Sequence, residues 1–267
     1  MIKIVLSDID GTFLTDDKKT CAAHVKAIKS VVAKGLPFVF VSARMPEAIY
    51  PITDAIGMAH TPVISYSGGL VLTAEEKVLF DKKISADDAQ GILAAMKRWQ
   101  DITVNYYTGR RWFVEAVDAR AQHEVDITSA QVEVGNFDAL LSENIFPNKI
   151  LVMCEPPVCL EMERELGKLF PTLNVVRSAP YLLEIMDKSV SKATGIEVLL
   201  KHYGYTVDEA VAFGDNYNDI EMLELIPQSV AMANAPDAIK KLASAVTDSN
   251  EVGGIYTYLV KIGVIEP

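Results

Sequence analysis

Short apolar runs alternate with amphipathic stretches through the first and last thirds of the chain. Ile2–Ser7 reads as a strand buried on both faces. Val25, Ile28, Val31 and Val32 give Cys21–Ala33 a helical spacing, and Gly35 ends it. Phe38–Ser42 is a second strand, Pro46–Ile56 a helix with proline in its first turn, and Val63–Ser67 a third strand closed by Gly68 and Gly69. The rhythm resumes with a helix over Val190–His202, a strand over Ala210–Phe213 and a helix over Asp219–Leu225. Strands at Ser229–Ala233 and Ala245–Thr247 and a helix over Asn250–Lys261 complete it. Strand–helix alternation predicts a parallel sheet with helices on both faces.

The middle of the chain has a different pattern. Thr103–Tyr107 and Arg111–Val117 flank a Thr108-Gly109-Arg110 turn and read as a β-hairpin. A helix over Ala119–Ser129 follows, then a strand at Lys149–Cys154, a helix at Val158–Leu169, and strands at Asn174–Arg177 and Leu182–Met186. The expected fold class is therefore α/β: a Rossmann-like, doubly wound core from residues 1–81 and 187–267, interrupted by an α+β insertion over residues 82–186.

Composition narrows the function. The chain has 267 residues, half of them apolar, and a net charge of −11. That acidity argues against a nucleic-acid partner, which needs clustered Lys and Arg. Cys21, Cys154 and Cys159 give no disulfide framework, and His24, His60, His123 and His202 match no zinc spacing; all seven read as ordinary core or surface residues. The N-terminus has no signal-peptide pattern, and no run approaches the ~18 apolar residues of a membrane span. The expectation is a cytoplasmic protein without membrane partners, a monomer or weak homo-oligomer.

In open α/β sheets, ligands bind beyond the carboxyl ends of the strands. Four polar clusters fall there or at a helix start: Asp8-Ile9-Asp10-Gly11-Thr12, Ser42-Ala43-Arg44, Ser191-Lys192, and Gly214-Asp215-Asn216-Tyr217-Asn218-Asp219. Asp8, Asp10, Asp215 and Asp219 are hard oxygen donors suited to Mg²⁺, and crowded carboxylates call for a cation or shared protons. Ser42 offers a hydroxyl and Lys192 a compact charge for phosphate. Together they suit phosphoryl transfer, which rests on positioning and charge neutralisation. One carboxylate can attack phosphorus, and another can move protons for the leaving alcohol and for water. Gly11 allows a tight turn.

The four clusters, in this order, resemble the motifs of the haloacid dehalogenase superfamily of phosphohydrolases, in particular its Cof-like branch with a large α/β cap, over essentially the whole chain. The resemblance implies that Asp8 is the nucleophile and a Mg²⁺ ligand, and that Asp10 is the acid/base with its carbonyl on the metal. It implies Asp215 as a further metal ligand, Asp219 as support for the metal shell or Lys192, and Ser42, Ala43, Arg44, Lys192 and Asn218 as the phosphoryl-binding set. Gly11, Thr12, Gly214 and Asn234, the last in Met232-Ala233-Asn234-Ala235, support the site. Ser42-Ala43 stands where the family usually has Thr-Gly, Ser67-Gly68 where the branch often has Asn-Gly, and Ala193 where glycine usually follows the lysine. The insertion would act as a cap choosing the leaving group, with Arg110 or Arg111 available for a second anionic group and Tyr106, Tyr107 and Trp112 as cap core. The implied activity is a Mg²⁺-dependent phosphatase of small phosphorylated metabolites, such as sugar phosphates or phosphorylated cofactors, working through an aspartyl-phosphate. A sugar phosphomutase is the second enzyme reading; a receiver-like module phosphorylated on aspartate is the non-enzyme one.

Overall fold

The computed structural model describes residues 1–58 and 61–267, so His60 lies outside the described residues. Chain order begins β1 (Ile4–Ser7), α1 (Ala22–Ala33), β2 (Phe38–Val41), a 3₁₀ turn at Pro46–Ala48, α2 (Tyr50–Ala55), β3 (Val63–Ser65), β4 (Leu70–Leu72) and β5 (Val78–Asp81). It continues with α3 (Ala86–Met96), β6 (Thr103–Thr108), β7 (Arg111–Val114), α4 (Ala119–Thr128), β8 (Glu133–Val134) and α5 (Phe137–Ser142). Then come β9 (Lys149–Met153), α6 (Pro156–Leu169), β10 (Leu173–Ala179) and β11 (Leu182–Asp187). It closes with α7 (Lys192–Tyr203), β12 (Ala210–Gly214), α8 (Ile220–Leu225), β13 (Gln228–Ala231), α9 (Asp237–Leu242), β14 (Ala245–Val246) and α10 (Gly254–Lys261).

The described residues form two compact units, Met1–Arg44 with Ile52–Phe80 and Ser191–Pro267, and Met45–Pro51 with Asp81–Val190. The first is built on a sheet ordered β14-β13-β12-β1-β2-β3-β4-β5. Pairing is parallel from β14 through β3. One face buries Leu6, Val39, Val41 and Ala212 with Ile196, Leu199 and Met222 of α7 and α8. On the other face Phe38 and Phe40 meet Phe13, and Phe213 meets Tyr258 of α10. Both faces are covered, which explains why these strands are continuously apolar.

The expectation of an extended strand over Val63–Ser67 fails after Ser65. Tyr66–Gly68 is a 3₁₀ turn, and the chain then reverses into β4, antiparallel to β3. Tyr66, Ser67 and Gly68 all take positive φ. A Cβ on Gly68 would lie 1.9 Å from the Ser191 carbonyl oxygen, so close approach to the start of α7 fixes the turn there. Pro46–Ile56 likewise divides into a 3₁₀ turn and the short α2.

The second unit is a six-stranded sheet ordered β10-β11-β9-β6-β7-β8. Its core joins Ile92 and Met96 of α3, Cys159 and Leu166 of α6, and Tyr106, Ile150, Val152 and Ile185 of the strands. Trp112 is buried and donates to Asn105 Oδ1 at 3.1 Å. Arg111 is paired with Glu133 by two hydrogen bonds, and Arg110 with Glu47. Among the described residues no helix is long and apolar enough to cross a membrane.

Candidate active site

β1 and β12 are central, adjacent and parallel, with Ser7 level with Phe213, so the residues that follow both strands emerge side by side. The Asp8 amide donates to the Phe213 carbonyl at 3.0 Å, carrying the pairing one residue past the strand. Ligand oxygens of Asp8, Asp215 and Asp219 then lie within 4.8 Å of one another, although more than 200 positions separate the first from the other two.

Between the carboxylates stands Lys192, in the first turn of α7. The helix is started by Ser191, whose hydroxyl accepts from the Thr194 amide. Lys192 is 1% exposed, and its Nζ donates to Asp8 Oδ1 at 2.6 Å and to Asp219 Oδ1 at 2.5 Å. Burial works against the ammonium, yet Asp219 and Asp8 hold its pKa above the ordinary lysine value. Burial pushes the Asp8 carboxyl up to about 8; Lys192 opposes this, and the like charges of Asp219 and Asp10 add to it.

Asp219 is fully committed. One oxygen takes Lys192, and the other accepts from the amides of Asp215 at 2.8 Å and Asn216 at 3.0 Å. It therefore shapes the turn that presents Asp215 and anchors the lysine. A Cβ on Gly214 would lie 2.7 Å from the Asp219 carboxyl carbon, so glycine permits this fold-back. Asp215 Oδ1 accepts from buried Thr12 at 2.7 Å. Burial raises its pKa to about 6, with Thr12 pulling the other way. Gly11 has φ +81°, and a Cβ there would lie 2.4 Å from Asp215 Oδ2.

The Asp10 carboxylate turns elsewhere. Arg44 donates to both its oxygens, and Lys18 Nζ donates to Oδ1 at 2.9 Å. Burial opposes ionisation, but the Arg44 hydrogen bonds and charge, followed by Lys18, bring its pKa down to about 2. Ser42 is buried, and its hydroxyl accepts from the Arg44 amide at 3.2 Å. Ala43 is partly buried beside it, whereas Asn218 is exposed on the Tyr217–Asp219 turn. Asn234 donates to the Gly11 carbonyl at 2.8 Å.

Lys18, His24, Asn250 and Glu251 also reach the Asp10–Asp16 loop without having stood out in the sequence, Glu251 by accepting from the Asp16 amide at 2.7 Å. Lys18 carries a φ of +62° in that loop's return. His24 and Asn250 contact the loop's carbonyls, at Phe13 and Leu14 respectively. A lone lysine and histidine just past the loop, and an asparagine more than 200 positions on, have no local signature to find.

The site so assembled has hard oxygen donors, one buried ammonium and a carboxylate beside a guanidinium. The haloacid dehalogenase-like hydrolase family matches residues 5–259, and the chain belongs to that family. It is 33% identical over 256 residues to a Haemophilus influenzae protein named "Putative phosphatase", covering 96% of each chain. A Thermotoga maritima crystal structure superposes with a TM-score of 0.88 at 26% identity, over 98% of this chain and 97% of that one. A phosphatase of the haloacid dehalogenase superfamily from Bacteroides thetaiotaomicron gives 0.82 at 26% identity, over 99% and 96%. The enzyme class is accordingly that of a haloacid dehalogenase-type phosphatase.

Proposed function

We propose that the chain hydrolyses small phosphorylated metabolites, sugar phosphates or phosphorylated cofactors, through an aspartyl-phosphate on Asp8 and with Mg²⁺ as cofactor. The observation that carries this reading is the convergence of Asp8, Asp215 and Asp219 oxygens, with the Lys192 ammonium bonded to Asp8 and Asp219.

The donor set fits a hard divalent cation. Carboxylate oxygens are the ligands such ions prefer, and burial leaves Asp8 and Asp215 with raised pKa values that a nearby cation would reverse. Asp8 and Asp215 would hold the ion through their carboxylates and Asp10 through its backbone carbonyl, because the Asp10 carboxylate is engaged by Arg44 and Lys18. Bound there, Mg²⁺ would supply charge neutralisation for the phosphoryl oxygens.

A carboxylate oxygen of Asp8 forms the bond to phosphorus as the bond to the leaving oxygen breaks. Lys192 orients Asp8 and neutralises phosphoryl charge. Asp10 gives its proton to the departing alkoxide, then takes one from the water that attacks the aspartyl-phosphate, releasing inorganic phosphate and restoring Asp8. With a pKa near 2 in the Arg44 and Lys18 grip, Asp10 is ionised in the free protein, the charge state though not the basicity that the second half needs. The acid half requires that grip to loosen when an anionic substrate draws the two cations away.

The test is a phosphometabolite panel assayed for released phosphate, with Mg²⁺ and with EDTA. Many turnovers per chain with Mg²⁺ and none with EDTA support the proposal. A single stoichiometric phosphorylation would point to a switch, and phosphate moved between hydroxyls without release would point to a mutase.

A further inference from the structure

We infer that the segment 248–255 is a strap that sets the shape of the Asp10–Asp16 loop, with Asn250 and His24 as positioning residues. The loop folds on itself through the amides of Phe13 and Leu14, which donate to the Ile9 carbonyl at 3.0 and 2.8 Å. Three of its carbonyls, on Gly11, Phe13 and Leu14, accept from Asn234, His24 and Asn250.

All three of those side chains tie back to the same distant segment. The Asn250 amide nitrogen of the main chain donates to Asn234 Oδ1 at 3.2 Å. The Ile255 amide donates to His24 Nε2 at 3.3 Å, and His24 Nδ1 lies 2.9 Å from the Phe13 carbonyl oxygen. A carbonyl only accepts and an amide only donates, so a neutral ring with its proton on Nδ1 satisfies both ends. Burial lowers the His24 pKa, in keeping with that neutral form. Asn250 donates through Nδ2 both to the Leu14 carbonyl and to Asp16 Oδ1, each at 3.0 Å. Its Oδ1 is buried with no hydrogen-bond partner among the described residues, so the side chain serves the loop as a donor alone.

The segment is itself built for close approach. Gly253 has φ +90°, and a Cβ there would lie 2.4 Å from the Ala23 Cβ in α1; one on Gly254 would lie 2.0 Å from the Asp248 carbonyl oxygen. The adjacent glycines let the strap seat against α1 while Ile255 reaches His24. The consequence is that Asp10 and Thr12, which flank Gly11, are held in register by Asn234, His24 and Asn250, none of them among the proposed reacting or metal-holding residues. This inference rests on Asp8 and Asp10 being the reacting pair, but its physical part does not.

The experiment combines native-state hydrogen exchange with steady-state kinetics on the full chain. In the wild type, the amides of Phe13, Leu14 and Ile255 should open together. In Asn250→Ala and His24→Leu, exchange at Phe13 and Leu14 should accelerate at least about 10-fold while β1 and β12 stay protected. With p-nitrophenyl phosphate, kcat should fall roughly 10- to 100-fold and KM change little, as expected when reacting groups are misplaced. His24→Gln, which restores a donor and an acceptor, should recover most of kcat, a rescue that loss of packing alone would not give. The strap is overturned if 248–255 opens in the wild type while Phe13 and Leu14 stay protected. That arm needs no variant to fold and no activity. The positioning role is overturned if folded variants keep kcat within about twofold. Faster loop exchange in an enzyme that turns over no phosphoester would leave the strap standing and refute the phosphatase reading instead.

Discussion

Arg44 grips Asp10 at both carboxylate oxygens, Nε to Oδ2 at 2.8 Å and Nη2 to Oδ1 at 2.7 Å. The pair matches a planar donor fork to a planar acceptor, the strongest form of side-chain ion pair. It ionises Asp10 in the free enzyme, which suits a base and opposes an acid.

Leaving groups should report that opposition. Asp10→Asn removes the proposed proton donor, so alkyl phosphates should lose about 10²- to 10⁴-fold in kcat while aryl phosphates, whose leaving groups need less protonation, lose less. Arg44→Met should act in the opposite sense on the ratio. It lets the Asp10 pKa rise from about 2 toward the ordinary aspartate value, so alkyl phosphates should suffer less than aryl ones even as both slow. Relative kcat/KM over a leaving-group series checks both; an unchanged ratio in either variant contradicts the acid role.

Asp8 makes the metal-free protein sensitive to pH. Its folded pKa is raised to about 8, against an ordinary 3.8, so between those values the folded state holds a proton that the unfolded state has released. Stability should then fall as pH rises through that window, by at most ~1.4 kcal/mol per unit for one proton. Asp215, raised to about 6, adds to the slope over the lower part of the window. Thermal melts in EDTA should show Tm dropping from pH 5 to pH 8, Mg²⁺ should restore most at pH 8, and Asp8→Asn should flatten the curve while abolishing turnover. A Tm in EDTA that climbs over this range would reverse the assigned direction.

Thr12 should tune Mg²⁺ affinity through Asp215, if Asp215 holds the ion as proposed. Its hydroxyl donates to Asp215 Oδ1 at 2.7 Å, which favours the charged carboxylate. Thr12→Val keeps the shape and removes the donor. Mg²⁺ affinity should fall about 10- to 100-fold, the usual effect of losing an outer partner of a metal ligand, and the loss should be larger at pH 6 than at pH 8. Titration calorimetry at the two pH values measures it.

Much of this architecture is legible in the sequence where strands are buried on both faces. Ile4–Ser7, Phe38–Val41 and Ala210–Gly214 stand out as apolar runs, and the acidic clusters that follow two of them meet because those strands are neighbours. The reversal at Tyr66–Gly68 is not legible, because the tyrosine reads as strand and only contact with Ser191 demands the turn. The α10 helix begins at Gly254 rather than Asn250, since residues 250–253 are spent on the strap. Helix α3 is absent from the expected elements although its signal is readable: Ser85 caps it, Asp87 and Asp88 fill its first turn, and Ala89, Ile92, Leu93 and Met96 recur at helical spacing along one face. Lys18 and His24 are beyond local reading, since their partners are set by how a loop closes.

Lys192 should prove to be a structural keystone as well as a phosphate ligand. Its side chain is inaccessible to solvent, and both of its carboxylate partners are buried. Replacing it with methionine conserves much of the volume but strands Asp8 and Asp219 without their cation. Breaking a buried pair from one side typically costs about 3–5 kcal/mol. Lys192→Met should therefore lose activity and, in EDTA above pH 8 where Asp8 ionises in the wild type, that much stability. Asp8 titrates at about 8 beside the lysine and higher without it, so the deficit relative to wild type should be flat from pH 5 to pH 7 and grow toward pH 9.5, where wild type releases the Asp8 proton and the variant keeps it. Added Mg²⁺ should recover part of the stability by supplying positive charge beside Asp8, without recovering turnover. Denaturant titrations at pH 7 and pH 9.5 distinguish this from a simple packing defect, for which the deficit would be the same at both and indifferent to the ion.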